Sequence, residues 1–155
     1  LPMFSDPLYQ SIYPELSKLW AAGNKANFLS LIKRTTLIVS ALAFGGWFLF
    51  VVFGKMLIQS IVGIAYQDAY MVTVVYMFAI VIALCTFSFS PAMLSIGLPI
   101  NLLKALMFAT AVYFGLLVVL ASTIGIIGAS ISYVGFYVIW STLVFSRLRP
   151  YLSKR

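Results

Sequence analysis

The chain carries very little charge, and most of that charge has one sign. Its 155 residues include ten Lys and Arg, three Asp and Glu, and no His. A typical globular domain is about 25% charged and about 45–50% apolar, whereas this chain is 8% charged and 63% hydrophobic. Such a composition excludes an ordinary water-soluble domain, because too little polar surface is present to cover its apolar core. It predicts a membrane protein.

The absence of His and the scarcity of acids exclude several kinds of site. Asp6, Glu15 and Asp68 are the only carboxylates, and all three lie outside the long apolar stretches. Metal clusters and nucleophile–base pairs need such groups close together. We therefore expect no bound metal, no cofactor and no enzymatic activity. A proton relay at membrane depth would need titratable groups from outside this sequence.

Cysteine occurs once, at Cys85, which excludes a disulfide within the chain and a paired-cysteine redox motif. The net charge of +7 raises the question of nucleic-acid binding. However, the basic residues bracket the apolar stretches instead of lining one face. We therefore expect membrane lipid as a partner and no nucleic acid.

Uncharged stretches separate the charged residues, at Thr35–Gly54, Ala69–Leu103 and Ala105–Ser146. A helix needs about 20 residues to cross about 30 Å of hydrocarbon. The last stretch would measure about 63 Å as one helix, so it must break, and residues 122–128 are turn-like. The pattern predicts an all-α integral membrane protein with four transmembrane helices, at about residues 35–53, 71–90, 101–121 and 129–146.

Proline, glycine and other small residues mark expected irregularities and contacts. Pro91 is expected to kink the second span, and Gly125 and Gly128 are expected to form the turn between the third and fourth spans. Small residues four apart let helix backbones approach closely. They occur at Ala79/Ala83, Ala105/Ala109, Ala111/Gly115 and Gly128/Ser132.

The basic residues also predict an orientation. Nine of the ten Lys and Arg lie before the first span, after the second or after the fourth, and only Lys55 lies on the other side. Cytoplasmic loops hold the excess of Lys and Arg. Both termini of this segment are therefore expected in the cytoplasm.

The flanks of the spans are expected to differ in role. Residues 1–13 are too short to span and are interpreted as the tail of a truncated preceding membrane helix. Residues 14–34, with Pro14 in the first turn of their helix, are expected to form a cytoplasmic amphipathic segment. A basic linker that only sets topology is the alternative. Residues 55–68 are expected to be an interfacial excursion, and residues 147–155 a basic cytoplasmic tail.

Five motifs follow one another along the chain: Tyr13-Pro14-Glu15-Leu16-Ser17-Lys18-Leu19, Gly23-Asn24-Lys25, Gly63-Ile64-Ala65-Tyr66-Gln67-Asp68-Ala69, the set Pro91, Gly97 and Lys104, and Gly125-Ile126-Ile127-Gly128-Ala129. In their order and intervals they resemble the polysaccharide flippases. These are the lipid-linked oligosaccharide (O-antigen) exporters of the multidrug/oligosaccharidyl-lipid/polysaccharide, MATE-like superfamily. The resemblance covers nearly the whole chain.

The resemblance implies that the chain is the C-terminal part of a transporter with two six-helix lobes, and that the N-terminal lobe is its partner. It implies flipping of polyprenyl-diphosphate-linked oligosaccharide across the bacterial plasma (inner) membrane by alternating access, for lipopolysaccharide or related cell-surface polysaccharide. Two alternatives stay open. One is a multidrug or organic-cation antiporter of the same superfamily, and the other is a non-transporting membrane assembly subunit.

Flipping a lipid diphosphate requires a countercharge for phosphate and a polar route for sugars. The candidate substrate contacts are Lys104, Asn101, Ser88, Ser90, Lys33 and Arg34. Tyr13, Pro14 and Glu15 are candidates for a gate between lobes. The alternative roles are topological anchoring for the cations and hydrogen bonding to their own helix for the hydroxyls.

Overall fold

A computed structural model of the chain describes residues 2–61, 63 and 69–153, and nearly all of them are helical. The helices are α1 (Pro2–Ala21), α2 (Lys25–Ile61), α3 (Ala69–Cys85), α4 (Phe89–Ser95), α5 (Pro99–Ile124) and α6 (Ile126–Ser153). These described ranges contain no strand. The predicted all-α fold is confirmed.

Within the described residues, four helical stretches are long and apolar enough to cross a membrane: Lys25–Ile61, Ala69–Ser95, Pro99–Ile124 and Ile126–Tyr151. Each contains one of the predicted spans, and the protein is a multi-pass membrane protein. Lys25–Ile61 and Ile126–Tyr151 are longer than the predicted spans because α2 and α6 continue past the charges at the hydrocarbon edge. In α2 the charge-free part, Thr35–Gly54, measures about 30 Å, which matches the hydrocarbon thickness.

The start of the chain differs from the prediction at Pro14. Helix α1 runs without a break through this proline, so Pro14 lies inside a helix and not in its first turn, and residues 13 and 14 are not a helix boundary. A proline inside a helix costs about 3 kcal/mol. Ile12 and Leu16, one turn apart on either side of it, are both buried in the core, and this burial offsets the cost.

The structure also differs from the prediction at the ends of α2 and α6. Residues 55–61, expected to be an interfacial excursion, continue α2 as regular helix. The expected tail likewise continues α6 from residue 147 to Ser153. Residues 1, 62, 64–68, 154 and 155 lie outside the described residues, and so does most of the motif at Gly63–Ala69.

Pro91 interrupts the second spanning stretch, and the interruption lies on the N-terminal side of the proline. It has no N–H to donate to the carbonyl of Phe87, and its ring crowds that carbonyl, so α3 ends at Cys85 and α4 starts at Phe89. Within the break, the hydroxyl of Thr86 donates to the carbonyl of Ile82 at 3.0 Å. The irregularity therefore precedes the proline by a few residues.

The four long stretches are arranged as a row. Helix α2 packs against α3, α3 against α6, and α6 against α5. Two side chains join α2 to α3: Trp47 Nε1 donates to the carbonyl of Val74 at 3.1 Å, and the Tyr70 hydroxyl donates to the carbonyl of Val51 at 2.7 Å. Such bonds are favourable in hydrocarbon, where no water competes for them.

The buried core lies at one end of the helices, where α2 and α5 begin and α6 ends. There α1 packs on α4 and on the start of α2, and the buried side chains come from α1, α2, α4, α5 and α6: Ile12, Leu16, Phe28, Ile32, Ala92, Met93, Ala105, Val144 and Leu148. We call this end, which carries Lys33, Arg34, Lys104 and Arg147, the basic end. The rest of the spanning surface is largely exposed apolar side chain, as expected for helices that lipid surrounds.

Small residues mark close helix contacts at some of the predicted positions. Ala79, Ala105, Ala109 and Ser132 are all buried. Ala111 and Gly115 are exposed, so among the described residues this pair makes no close helix contact. Spacing shows only that a backbone approach is sterically allowed, and the packing of the helices decides where it occurs.

The two glycines between α5 and α6 have different roles. Gly125 alone forms the turn, with a φ of +64° that favours glycine. Gly128 lies inside α6, where a Cβ atom would overlap the backbone carbonyl of Leu120 on α5. The hairpin of α5 and α6 therefore depends on a close backbone contact at Gly128, which leaves no room for a side chain there.

Gly128→Ala is expected to destabilise the fold by about 1–3 kcal/mol, because the added methyl forces α5 and α6 apart. Gly115→Ala is the matched control: Gly115 is also helical, and a Cβ there meets no atom within 4 Å. Thermal unfolding in detergent should show a lower Tm for Gly128→Ala and an unchanged or higher Tm for the control. Equal Tm values would contradict the tight contact.

Candidate functional site

A groove lies between the start of α5 and the end of α6 at the basic end. One part has a volume of ≈ 290 Å³ and is lined by Asn101, Lys104, Ala105, Phe108, Leu143 and Arg147. An adjoining part of ≈ 410 Å³ shares two of these residues, and its lining is Asn101, Ser146, Arg147, Pro150 and Tyr151. We call both parts together the α5–α6 groove.

Helical spacing brings the lining residues to one surface. On α5, Asn101, Lys104 and Phe108 recur three and four residues apart, and on α6, Leu143 and Arg147 are four apart, so each set lies on one helix face. Ala105 is buried beneath them. A small residue at this position lets the helices approach at the floor of the groove.

The groove is suited to an anion. Lys104 and Arg147 are exposed on its two walls, and no acidic residue is among the lining residues that the structure describes. Arg147 offers a planar set of donors that matches phosphate oxygens, and the Asn101 amide adds two N–H donors. Asn101 also lies in the first turn of α5, where the helix dipole favours negative charge.

The structure brings two of the six predicted substrate contacts together, Asn101 and Lys104. Lys33 and Arg34 are exposed on α2 and line a separate groove. Ser88 is 1% exposed in the core, and its hydroxyl has no hydrogen-bond partner. Ser90 is half-buried on α4. Substrate contact by these four residues stays a prediction.

The predicted gate residues lie on α1, where Tyr13, Pro14 and Glu15 are exposed. On the same helix, the Ser17 hydroxyl lies 3.2 Å from the Ser95 hydroxyl of α4. Ser95 donates its own proton to the carbonyl of Pro91, so Ser17 is the donor in the bond between α1 and α4. This contact attaches α1 to the bundle, and a gating role stays a prediction.

Aromatic side chains from three helices meet between α3, α5 and α6. We call Tyr76, Tyr113, Tyr133, Phe136 and Tyr137 the tyrosine cluster. The rings of Tyr76 and Tyr133 stack with centroids 4.8 Å apart and planes 5° apart. Tyr113 meets Tyr133 edge-on at 6.1 Å, and the hydroxyls of Tyr133 and Tyr137 are 3.2 Å apart.

The tyrosine cluster and the α5–α6 groove lie along the same face of α6. Phe136, Trp140, Leu143 and Arg147 follow one another at steps of four, three and four residues, which is the spacing of one helix face. Tyr137 and Arg147 are ten residues apart, or about 15 Å along the helix axis. A polar and aromatic strip therefore leads from the basic end into the spanning part.

Arg147 and the tyrosine cluster were not predicted from the sequence, although a signal for both was present. In an antiparallel hairpin, residues equally far from the turn lie opposite each other. Lys104 is 21 residues before Gly125 and Arg147 is 22 after it, while Tyr113 is 12 before it and Phe136 is 11 after it. Treating Gly125 as the sole turn residue would have paired them.

No family model, no curated protein and no solved structure matches this chain. Its function is therefore inferred from its own residues. The two most specific features are a groove with two cations at the basic end and a tyrosine cluster farther along the same helices.

The α5–α6 groove is expected to bind inorganic pyrophosphate, and to bind it less tightly as salt is raised. Lys104→Gln and Arg147→Gln should each weaken binding by about 10-fold, because each removes a charge-assisted hydrogen bond. Calorimetry on the purified protein in detergent measures the Kd. Lys55→Gln, which removes an exposed cation at the opposite end of α2, is the control. An equal loss in that variant would show that affinity follows net charge alone.

Proposed function

We propose that this chain is part of a membrane transporter that flips polyprenyl-diphosphate-linked oligosaccharide for cell-surface polysaccharide biosynthesis. The observation that carries the proposal is the α5–α6 groove, where Lys104, Arg147 and Asn101 surround one opening at the basic end. In this proposal the protein is not an enzyme and needs no cofactor. It acts in the bacterial plasma membrane, with both termini of this segment in the cytoplasm.

The position of the groove supports a lipid-linked anion over a free one. Its cations stand at the edge of the spanning stretch, which is the depth of a lipid headgroup. Phe108 lines the groove and is exposed, and Met107 beside it is also exposed. The diphosphate would contact the two cations while its polyprenyl chain lies along this apolar surface of α5, in the membrane.

Alternating access requires part of the bundle to move, and the break between α3 and α4 supplies a hinge. At the break, the N–H groups of Phe87 and Phe89 donate to the carbonyls three residues before them instead of four, and discontinuous membrane helices recur at the substrate sites of transporters. Movement there would change how α4 covers the ends of α5 and α6, which it contacts. The groove would then open or close at the basic end.

One observation favours an organic-cation antiporter of the same superfamily instead. Aromatic rings such as those of Tyr76 and Tyr133 attract organic cations. Lys104 and Arg147 would repel such a substrate, and the sequence places no carboxylate within the spans to attract it. The lipid diphosphate is therefore the substrate that the charges support.

Transport of a fluorescent polyprenyl-diphosphate disaccharide by the complete protein in proteoliposomes tests the proposal. A membrane-impermeant quencher reports the leaflet that the probe occupies. The wild-type protein is expected to flip the probe. Lys104→Ala is expected to slow flipping by about 10-fold, because the diphosphate at the membrane edge loses one of its charged hydrogen-bond partners. Lys55→Ala, at the opposite end of α2, is the control and should flip at the wild-type rate.

Two results would count against the proposal. Wild-type rates in Lys104→Ala would leave Lys104 as a topological anchor alone. No flipping by the wild-type protein would contradict transport of this lipid and favour the non-transporting assembly subunit.

A further inference from the structure

We propose that the tyrosine cluster is a carbohydrate-contact site, at which a sugar ring of the transported lipid stacks on Tyr76 and bonds to the neighbouring tyrosine hydroxyls. The inference rests on the proposed transport function and goes beyond it by naming where the sugar is held. It follows from an open ring face, an incompletely used set of hydroxyls, and the position of both along α6.

The ring of Tyr76 has one covered face and one open face. Tyr133 stacks on it in a nearly parallel arrangement, at 4.8 Å and 5°, and yet the Tyr76 side chain is 39% exposed. The exposure must therefore come from the opposite face and the ring edge. A flat, open aromatic face suits the C–H face of a pyranose ring, which is apolar while its rim carries hydroxyls.

The hydroxyls of Tyr76, Tyr133 and Tyr137 have hydrogen-bonding capacity to spare. The hydroxyls of Tyr133 and Tyr137 are 3.2 Å apart, and the Tyr76 side chain is also hydrogen-bonded to that of Tyr133. Two hydrogen bonds among three hydroxyls use two of their three protons, so the third proton is directed outside the cluster. A hydroxyl proton left without an acceptor in an apolar medium is unfavourable. Lipid chains offer no acceptor, whereas the ring and hydroxyl oxygens of a sugar offer several.

The tyrosine cluster lies inside the membrane-spanning part, where a polar ligand needs hydrogen-bonding side chains because lipid provides none. Tyr76 is seven residues from Ala69 at the start of α3, and Tyr133 is seven residues from Ile126 at the start of α6. Both are about 10 Å from the end that carries Gly125. The cluster is thus inside the spanning part, on the side away from the basic end.

The distance to the α5–α6 groove fits a single ligand that occupies both sites. Tyr137 and Arg147 are about 15 Å apart along α6, and Trp140 and Leu143 lie between them on the same face. A diphosphate in the groove would direct its attached oligosaccharide along this face. Phosphate recognition and sugar recognition are then separate, and they can be removed separately.

Transport kinetics with the complete protein in proteoliposomes test this separation. The substrate is a fluorescent polyprenyl-diphosphate disaccharide, and sugar-free polyprenyl diphosphate serves as a competitor. Tyr76→Leu removes the stacking ring, and Tyr137→Phe removes one hydroxyl but keeps its ring. Phe48→Leu removes an exposed ring of α2, outside the cluster, and is the control. Elution in size-exclusion chromatography verifies that each variant folds.

Tyr76→Leu is expected to raise the KM for the disaccharide lipid by about 3- to 10-fold, the effect of one lost aromatic stack. Tyr137→Phe should raise it by about 3-fold, the effect of one neutral hydrogen bond. The inhibition constant of the sugar-free competitor should stay at the wild-type value in both variants. Phe48→Leu should change neither constant.

Three outcomes would overturn the inference. An unchanged KM in both cluster variants, while the wild-type protein transports, removes the carbohydrate site and leaves the transport function standing. Equal changes for the disaccharide lipid and the sugar-free competitor show that the cluster only shapes the fold. A wild-type protein that transports neither lipid overturns the proposed function, and the sugar site with it.

Discussion

Hydrocarbon accepts neither unpaired backbone groups nor isolated charge, and this constraint shapes the whole molecule. It requires the spanning backbone to be helical, and it confines the charged residues to the ends of the helices. Lys104 and Arg147 are consequently on neighbouring helices at the same edge, where a lipid headgroup lies. The same constraint explains why the tyrosine hydroxyls bond to one another, because a hydroxyl at this depth is costly unless something polar contacts it.

The hairpin of α5 and α6 connects the fold to the candidate site. Gly125 is the one residue between α5 and α6, and Gly128 lets the two backbones approach closely at Leu120. In this antiparallel hairpin, residues about equally far from Gly125 are neighbours: Lys104 and Arg147 line one groove, and the rings of Tyr113 and Phe136 are in contact. The features proposed to recognise phosphate and sugar are therefore consequences of the contact that stabilises the hairpin.

Charge spacing alone predicted the four spans, because hydrocarbon thickness converts directly into helix length. It did not predict the helix through Pro14, since burial of Ile12 and Leu16 outweighs the local preference of proline. Arg147 was interpreted as part of a tail because its partner, Lys104, is distant in sequence and close only after the helices pair. Tertiary packing also decided that Ala111 is exposed.

The proposed function requires the basic end, with the α5–α6 groove, to face the cytoplasm. The most direct test of this orientation is labelling of intact cells with a membrane-impermeant maleimide, using the complete protein without other cysteines and with Cys85→Ser. Thr123→Cys, near Gly125, should be labelled in intact cells, and Ala22→Cys, at the basic end, only after the membrane is permeabilised. Labelling of Ala22→Cys alone in intact cells would contradict the account.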